Sequence, residues 1–124
     1  MNTEKDLPSA GDDGSLQENT VYRKAFKMQL KHGFTDVYKQ RHDAIWHELK
    51  ELLKALGISD YSIFLDETTD NLFGVLKTNN INALDDLALH PIMQKWWANM
   101  IDIMESNPDN SPVSIPLTEV FHLP

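Results

Sequence analysis

Between residues 22 and 30 the side chains alternate. Phe26, Met28 and Leu30 fall on one face and Lys27 and Gln29 on the other, the period-two signature of a strand. His32-Gly33 reads as the turn that ends it. The period then changes: Tyr38, His42, Ile45, Leu49, Leu52 and Leu56 follow one another at steps of four and three, the spacing that stacks side chains along one helix face. Gly57 stands where a left-handed C-cap belongs, so one long amphipathic helix is expected over 35–56. Two short β-rich runs, 61–66 and 72–77, flank the polar segment ETTDN and read as a hairpin. A second helical region runs over 83–89, breaks at His90-Pro91, and resumes with Ile92, Met93, Trp96, Trp97, Met100, Ile101 and Met104 as a wide apolar stripe. NPDNSPVS, 107–114, is turn-rich, and the terminal TEVFHL reads as a last strand.

Strand, helix, strand, strand, helix, strand is the α+β, ferredoxin-like βαββαβ plan, with both helical regions on one face of the sheet. The strands carry apolar side chains at both parities, Ile63 and Leu65 against Phe64, so the second face also needs cover. A second copy packed sheet to sheet supplies it, which makes the expected assembly a homodimer closed into a dimeric α/β barrel, with the ligand between each sheet and its surroundings. Residues 1–20 hold five acids, one lysine, Pro8, Gly11 and Gly14 and almost no hydrophobes; they are expected to be a disordered tail ahead of a single domain over 21–124.

Composition narrows the chemistry. The chain of 124 residues contains no cysteine, which removes thiol nucleophiles, thiolate metal sites and disulfides and suits a reducing cytosol. A formal charge of -8 without any basic stripe argues against nucleic acid. The opening MNTEKDLPSA has neither a cationic leader nor an apolar run, and no stretch approaches the roughly 20 apolar residues of a membrane span, so a soluble, cytoplasmic protein without membrane contact is expected.

Among candidate functional residues, His42 stands out because it shares the inward stripe with Tyr38. A lone histidine on an apolar face is more often a hydrogen-bonded core-edge imidazole than a catalyst, and the aromatic stripe of Trp96-Trp97 is by default core. A metal role is disfavoured: His42 and His47 lie about 500° apart around the helix, and His47-Glu48 lacks the second histidine of a zinc helix. His32, His90 and His122 read as solvated, turn or packing residues. No Gly-rich phosphate loop, nucleophile elbow or calcium loop is present.

Taken together, RKAFKMQL (23–30), YKQRHDAIW (38–46), YSIFLDE (61–67), QKWWANMIDIM (94–104), NPDNSPVS (107–114) and LTEVFHLP (117–124) resemble the L-rhamnose mutarotase family in order and spacing. The resemblance implies a dimeric ferredoxin-like barrel that interconverts the α and β anomers of a small sugar, L-rhamnose, with no metal or organic cofactor. It also implies that His42 is the proton donor and that Tyr38, Tyr61, Trp96 and Trp97 bind the sugar. Three positions depart from the family pattern: residues 1–20 precede its usual start, Ala44 stands where proline is common, and His122 where tyrosine is frequent. Two other readings share the same barrel plan, a cofactor-free monooxygenase-like protein and a non-catalytic sugar-binding module.

Overall fold

A computed structural model describes residues 20–124, so the tail expected over 1–20 lies outside the described residues except for Thr20. The elements are β1 (Tyr22–Gln29), α1 (Thr35–Asp43), α2 (His47–Ala55), β2 (Ile58–Asp66), β3 (Asn71–Thr78), α3 (Ala83–Ala88), α4 (Pro91–Met100) and β4 (Ser114–Leu117). The strands form one antiparallel sheet in the order β2-β3-β1-β4. A small α+β domain of this order places its first and third strands at the centre, as the βαββαβ plan requires.

Alternation along the strands sorts the two faces of the sheet. Leu72, Leu76 and Thr78 of β3 are buried under the helices, with Met28 of β1 opposite Leu72. The core closes over them with Leu30, Leu49, Leu87, Met100 and Ile103. Gly74 belongs to the same face. A Cβ there would lie 2.5 Å from the Phe26 ring, so the missing side chain is what lets Phe26 lie across β3. From that position Phe26 meets Tyr61 edge-on at 6.2 Å. On the other face Phe64 is 62% exposed, and Val75, Ile115 and Leu117 are also open.

The helix expected over 35–56 is two helices. Trp46 takes an extended conformation (φ -60°, ψ 135°), and the Ile45 N–H turns back to the His42 carbonyl. The step-of-four-and-three pattern runs through the break undisturbed, which is why periodicity cannot reveal it. What the break achieves is a tertiary contact, since Trp46 swings round to meet the Trp96 ring edge-on at 5.1 Å and 90°. Downstream, Gly57 at φ +79° carries the chain out of α2 and straight into β2, so β2 begins at Ile58, ahead of the expected 61.

The last strand also differs. It is Ser114–Leu117, paired with β1 from Met28↔Ser114 to Ala25↔Leu117, rather than TEVFHL. Pro116, which has no N–H to donate, is tolerated because β4 lies at the edge of the sheet. With β3 on one side of β1 and β4 on the other, the β-prone residues after Leu117 find no free edge there. They end exposed, Val120 at 91% and Phe121 at 78%.

Substituting Gly74→Ala forces the Phe26 ring, and with it Tyr61, to move. We expect a loss of about 1–3 kcal/mol, the usual cost of overpacking a filled core, seen as a lower midpoint in a thermal melt; an unchanged midpoint would show that the space over Gly74 is not needed.

Candidate active site

The cleft between the helix-covered sheet face and α4 is built from three directions. α1 contributes Tyr38 and His42, one turn apart. Their rings stack at 4.2 Å and 28°, as residues four apart on one helix face can. β2 contributes Tyr61 through a bulge: between Ser59↔Lys77 and Ser62↔Val75, both Asp60 and Tyr61 stand opposite Leu76 alone. The extra residue, with Asp60 at φ +50°, flips the parity of the strand. Tyr61 therefore faces the helices as Ile58 does, whereas simple alternation would have sent it to the far side. α4 contributes Trp96 and Trp97.

His42 is held on two sides. Its Nδ1 lies 3.0 Å from the Tyr38 carbonyl. A carbonyl only accepts, so Nδ1 carries the proton and Nε2 is left as the nitrogen with a free lone pair. Its ring also meets Trp96 edge-on at 5.4 Å and 86°. Burial lowers the pKa of His42; the bond to Tyr38 and the charge of Asp43 oppose the shift without reversing it. The two phenols move the other way. Burial, helped by the neighbouring Tyr61, pushes the Tyr38 hydroxyl well above its ordinary value, and burial pushes Tyr61 up to about 12. Tyr61 as a whole is 37% exposed, so the shift reflects the enclosure of its hydroxyl end. Near neutrality the cleft thus holds an uncharged imidazole and two phenols that donate protons without losing them.

Next to His42, Arg41 fastens α1 to the far end of α4. Its guanidinium donates to both oxygens of Asp102, at 2.8 and 2.9 Å, and to the Asn99 carbonyl at 2.7 Å. This planar, three-point grip sets the distance between the helix carrying His42 and the helix carrying Trp96.

All five residues singled out in the sequence line one open cleft. Trp96 is 5% exposed and so belongs to the core while forming a wall of the cleft; Trp97 is half-buried. Met28, Met93, Met100 and Met104 supply apolar lining. Sequence reasoning did not single out Ser106, Asn110 and Pro112, which also line the cleft. Their one signal was the polar turn motif NPDNSP, and its approach to the site is a matter of tertiary placement. The remaining histidines stand apart from the cleft: His32 pairs with Asp70 at 2.9 Å, and the His90 ring caps α4 by accepting from the Ile92 N–H. Among the described residues no three histidine, aspartate or glutamate side chains converge as metal ligands, and no helix is long and apolar enough to cross a membrane.

Comparison with known proteins identifies the family. A family model described as L-rhamnose mutarotase matches residues 23–123. An L-rhamnose mutarotase of Jannaschia sp. (strain CCS1) is 57% identical over 100 residues, covering 81% of this chain and 96% of the relative. The crystal structure of an L-rhamnose mutarotase from Formosa agariphila superposes with a TM-score of 0.78 at 54% identity, over 83% of this chain and 99% of that one. A putative antibiotic biosynthesis monooxygenase from Nitrosomonas europaea shares the fold alone, with a TM-score of 0.56 at 9% identity over 82% of this chain and 91% of the other. At more than half identity across nearly the whole length of its relatives, with the five aromatic and imidazole side chains gathered in one cleft, the chain belongs to the L-rhamnose mutarotase family.

Proposed function

We propose that His42 carries the anomer exchange of L-rhamnose by taking a proton at Nε2 and giving it back one bond away. Mutarotation needs the C1–O5 bond of the ring opened, rotation about C1–C2, and closure on the other face. The net proton movement is from the anomeric hydroxyl to the ring oxygen. Both oxygens are bonded to C1, so one well-placed nitrogen reaches each in turn. Neutral His42 takes the hydroxyl proton as C1–O5 breaks, and the imidazolium, now the proton donor, delivers it to O5. The same steps in reverse close the ring. The observation that carries this reading is the Nδ1 bond to Tyr38, which leaves Nε2 as the working nitrogen. Tyr38 and Tyr61, held protonated by burial, donate hydrogen bonds to the sugar oxygens as charge develops on them. Trp96, Trp97 and the methionines offer apolar surface to the C–H face and methyl group of a 6-deoxy sugar.

The same reading includes a homodimer acting in the cytoplasm. Phe64, Val75, Ile115 and Leu117 form an open apolar sheet face, and the exposed Val120, Phe121 and Leu123 follow it in the chain. An apolar face of this kind is what a second sheet covers in a dimeric α/β barrel. A cysteine-free chain suits a reducing compartment.

Three expected outcomes follow from this chemistry. His42→Gln retains the fold and sugar binding but slows exchange between the two anomeric proton signals of L-rhamnose, measured by saturation transfer, by about 10² to 10⁴; a change within about threefold would make His42 a structural histidine. Because the neutral imidazole acts first and its pKa is lowered, kcat/KM stays level through neutrality and falls only in acid below the ordinary histidine value of 6.5. An acid limb centred above that value would contradict the assignment of base. Finally, sedimentation equilibrium gives a dimer for the parent chain and a monomer for Phe64→Lys; a monomeric parent would refute the barrel assembly.

A further inference from the structure

Residues 107–112 form a turn in which three of the four polar side chains, Asn107, Asp109 and Ser111, are spent on the turn itself. The Asn107 side-chain amide donates to the Ser111 hydroxyl at 3.0 Å and to the Pro112 carbonyl at 3.4 Å. Asp109 accepts from the Ser111 N–H at 3.0 Å and from its hydroxyl at 2.5 Å. Backbone bonds close the turn, the Asn107 N–H to the Ser111 carbonyl at 2.7 Å and the Asn110 N–H to the Asn107 carbonyl at 2.9 Å. The loop is also pinned to the sheet, because the Glu105 N–H donates to the Gln29 carbonyl and the Val113 N–H to the Glu105 carbonyl.

Asn110 is the exception. Its backbone sits at φ +74°, the left-handed region that asparagine tolerates better than other non-glycine residues. Among the described residues its side-chain amide makes no hydrogen bond, although the residue is partly buried and lines the cleft that holds His42. A rigid turn built by three polar neighbours that presents a fourth, unpartnered amide to a mostly apolar cleft is the arrangement of a ligand-reading group.

We propose that the Asn110 amide is a specificity-determining contact that reads a pair of adjacent ring hydroxyls of the sugar, on the part of the ring remote from the anomeric carbon. The proposal rests on the reading of this cleft as the sugar site. An amide is suited to a vicinal diol because its carbonyl accepts from one hydroxyl while its NH₂ donates to the next. His42 and the phenols of Tyr38 and Tyr61 are occupied with the anomeric hydroxyl and the ring oxygen. The hydroxyls at C3 and C4 are the adjacent pair farthest from that chemistry. A sugar lacking one of them would leave the amide half-paired in the cleft, which is how a polar group rejects a near-substrate.

The test uses Asn110→Gly, since glycine adopts φ > 0 readily and keeps the turn while removing the amide, and Asn110→Asp, which keeps the carbonyl-like acceptor and removes the donor. Anomer exchange is followed by saturation transfer across a range of concentrations of L-rhamnose and of its 3-deoxy and 4-deoxy analogues, with thermal melts as the measure of fold. Asn110→Gly is expected to raise KM for L-rhamnose by about tenfold, the worth of two neutral hydrogen bonds, with kcat nearly unchanged. For the deoxy analogues the KM penalty of Asn110→Gly should be smaller than for L-rhamnose, because one of the two hydrogen bonds is already lost in the parent. Asn110→Asp should fall between parent and Asn110→Gly with L-rhamnose. Equal KM values for parent and Asn110→Gly with L-rhamnose would overturn the proposal. So would a KM penalty of the same size for rhamnose and both analogues, or a loss confined to kcat, either of which would mean that Asn110 only shapes the loop. Failure of the parent chain to accelerate exchange of L-rhamnose at all would instead strike the underlying reading of the cleft.

Discussion

The ring of Trp96 is the point on which the site depends. It is buried among the core residues, and two other aromatic rings meet it nearly at right angles: His42 at 5.4 Å from one helix and Trp46 at 5.1 Å from the segment that follows. Edge-to-face contacts of this kind favour one geometry over a sandwich, because the positive ring edge meets the negative π-face. The break between α1 and α2 brings both rings to Trp96. Arg41 reinforces the arrangement from outside by gripping Asp102 and the Asn99 carbonyl at the end of α4. A residue that reads in sequence as ordinary core is thus also the wall that orients the imidazole. The packing of the core and the wall of the cleft share one side chain.

Desolvation sets the protonation states, and it does so in opposite senses for different groups. Burial disfavours the charged form, so it lowers the pKa of an imidazole and raises that of a phenol. The outcome is a cleft whose titratable groups are all neutral at rest: His42 with a free lone pair at Nε2, and two phenols that keep their protons. An uncharged site suits an uncharged sugar, since no charge has to be stripped of water on binding. It also suits a reaction in which a proton leaves one oxygen and arrives at another on the same carbon.

The low-identity likeness to a putative monooxygenase shows how far the fold is separable from its use. A four-stranded antiparallel sheet covered on one face by helices does not by itself dictate what lies beneath those helices. What distinguishes this cleft is local. A single-residue bulge at Asp60-Tyr61 brings a phenol to the helix side, Gly74 leaves room for the Phe26 ring that supports it, and a self-bonded turn presents Asn110. Each is a small change to the backbone or to one side chain, and none alters the order of the strands.

The sequence by itself determined the order of elements, the α+β class, the inward stripe carrying Tyr38 and His42, and the break at His90-Pro91, because these follow from periodicity and from residues with strong local preferences. The family likeness could be read from six segments for the same reason, since it lies in the order of residue types along the chain. Three features were decided only in three dimensions. The break at 44–46 preserves the helical period and is driven by Trp46 reaching Trp96, a contact between residues fifty apart. The last strand is Ser114–Leu117 and not TEVFHL because strand formation needs a free edge, and β4 takes the one that β1 still offered. Tyr61 faces the site because the bulge resets its parity. In each case local preference did not decide the outcome, and the choice was made by a partner distant in sequence.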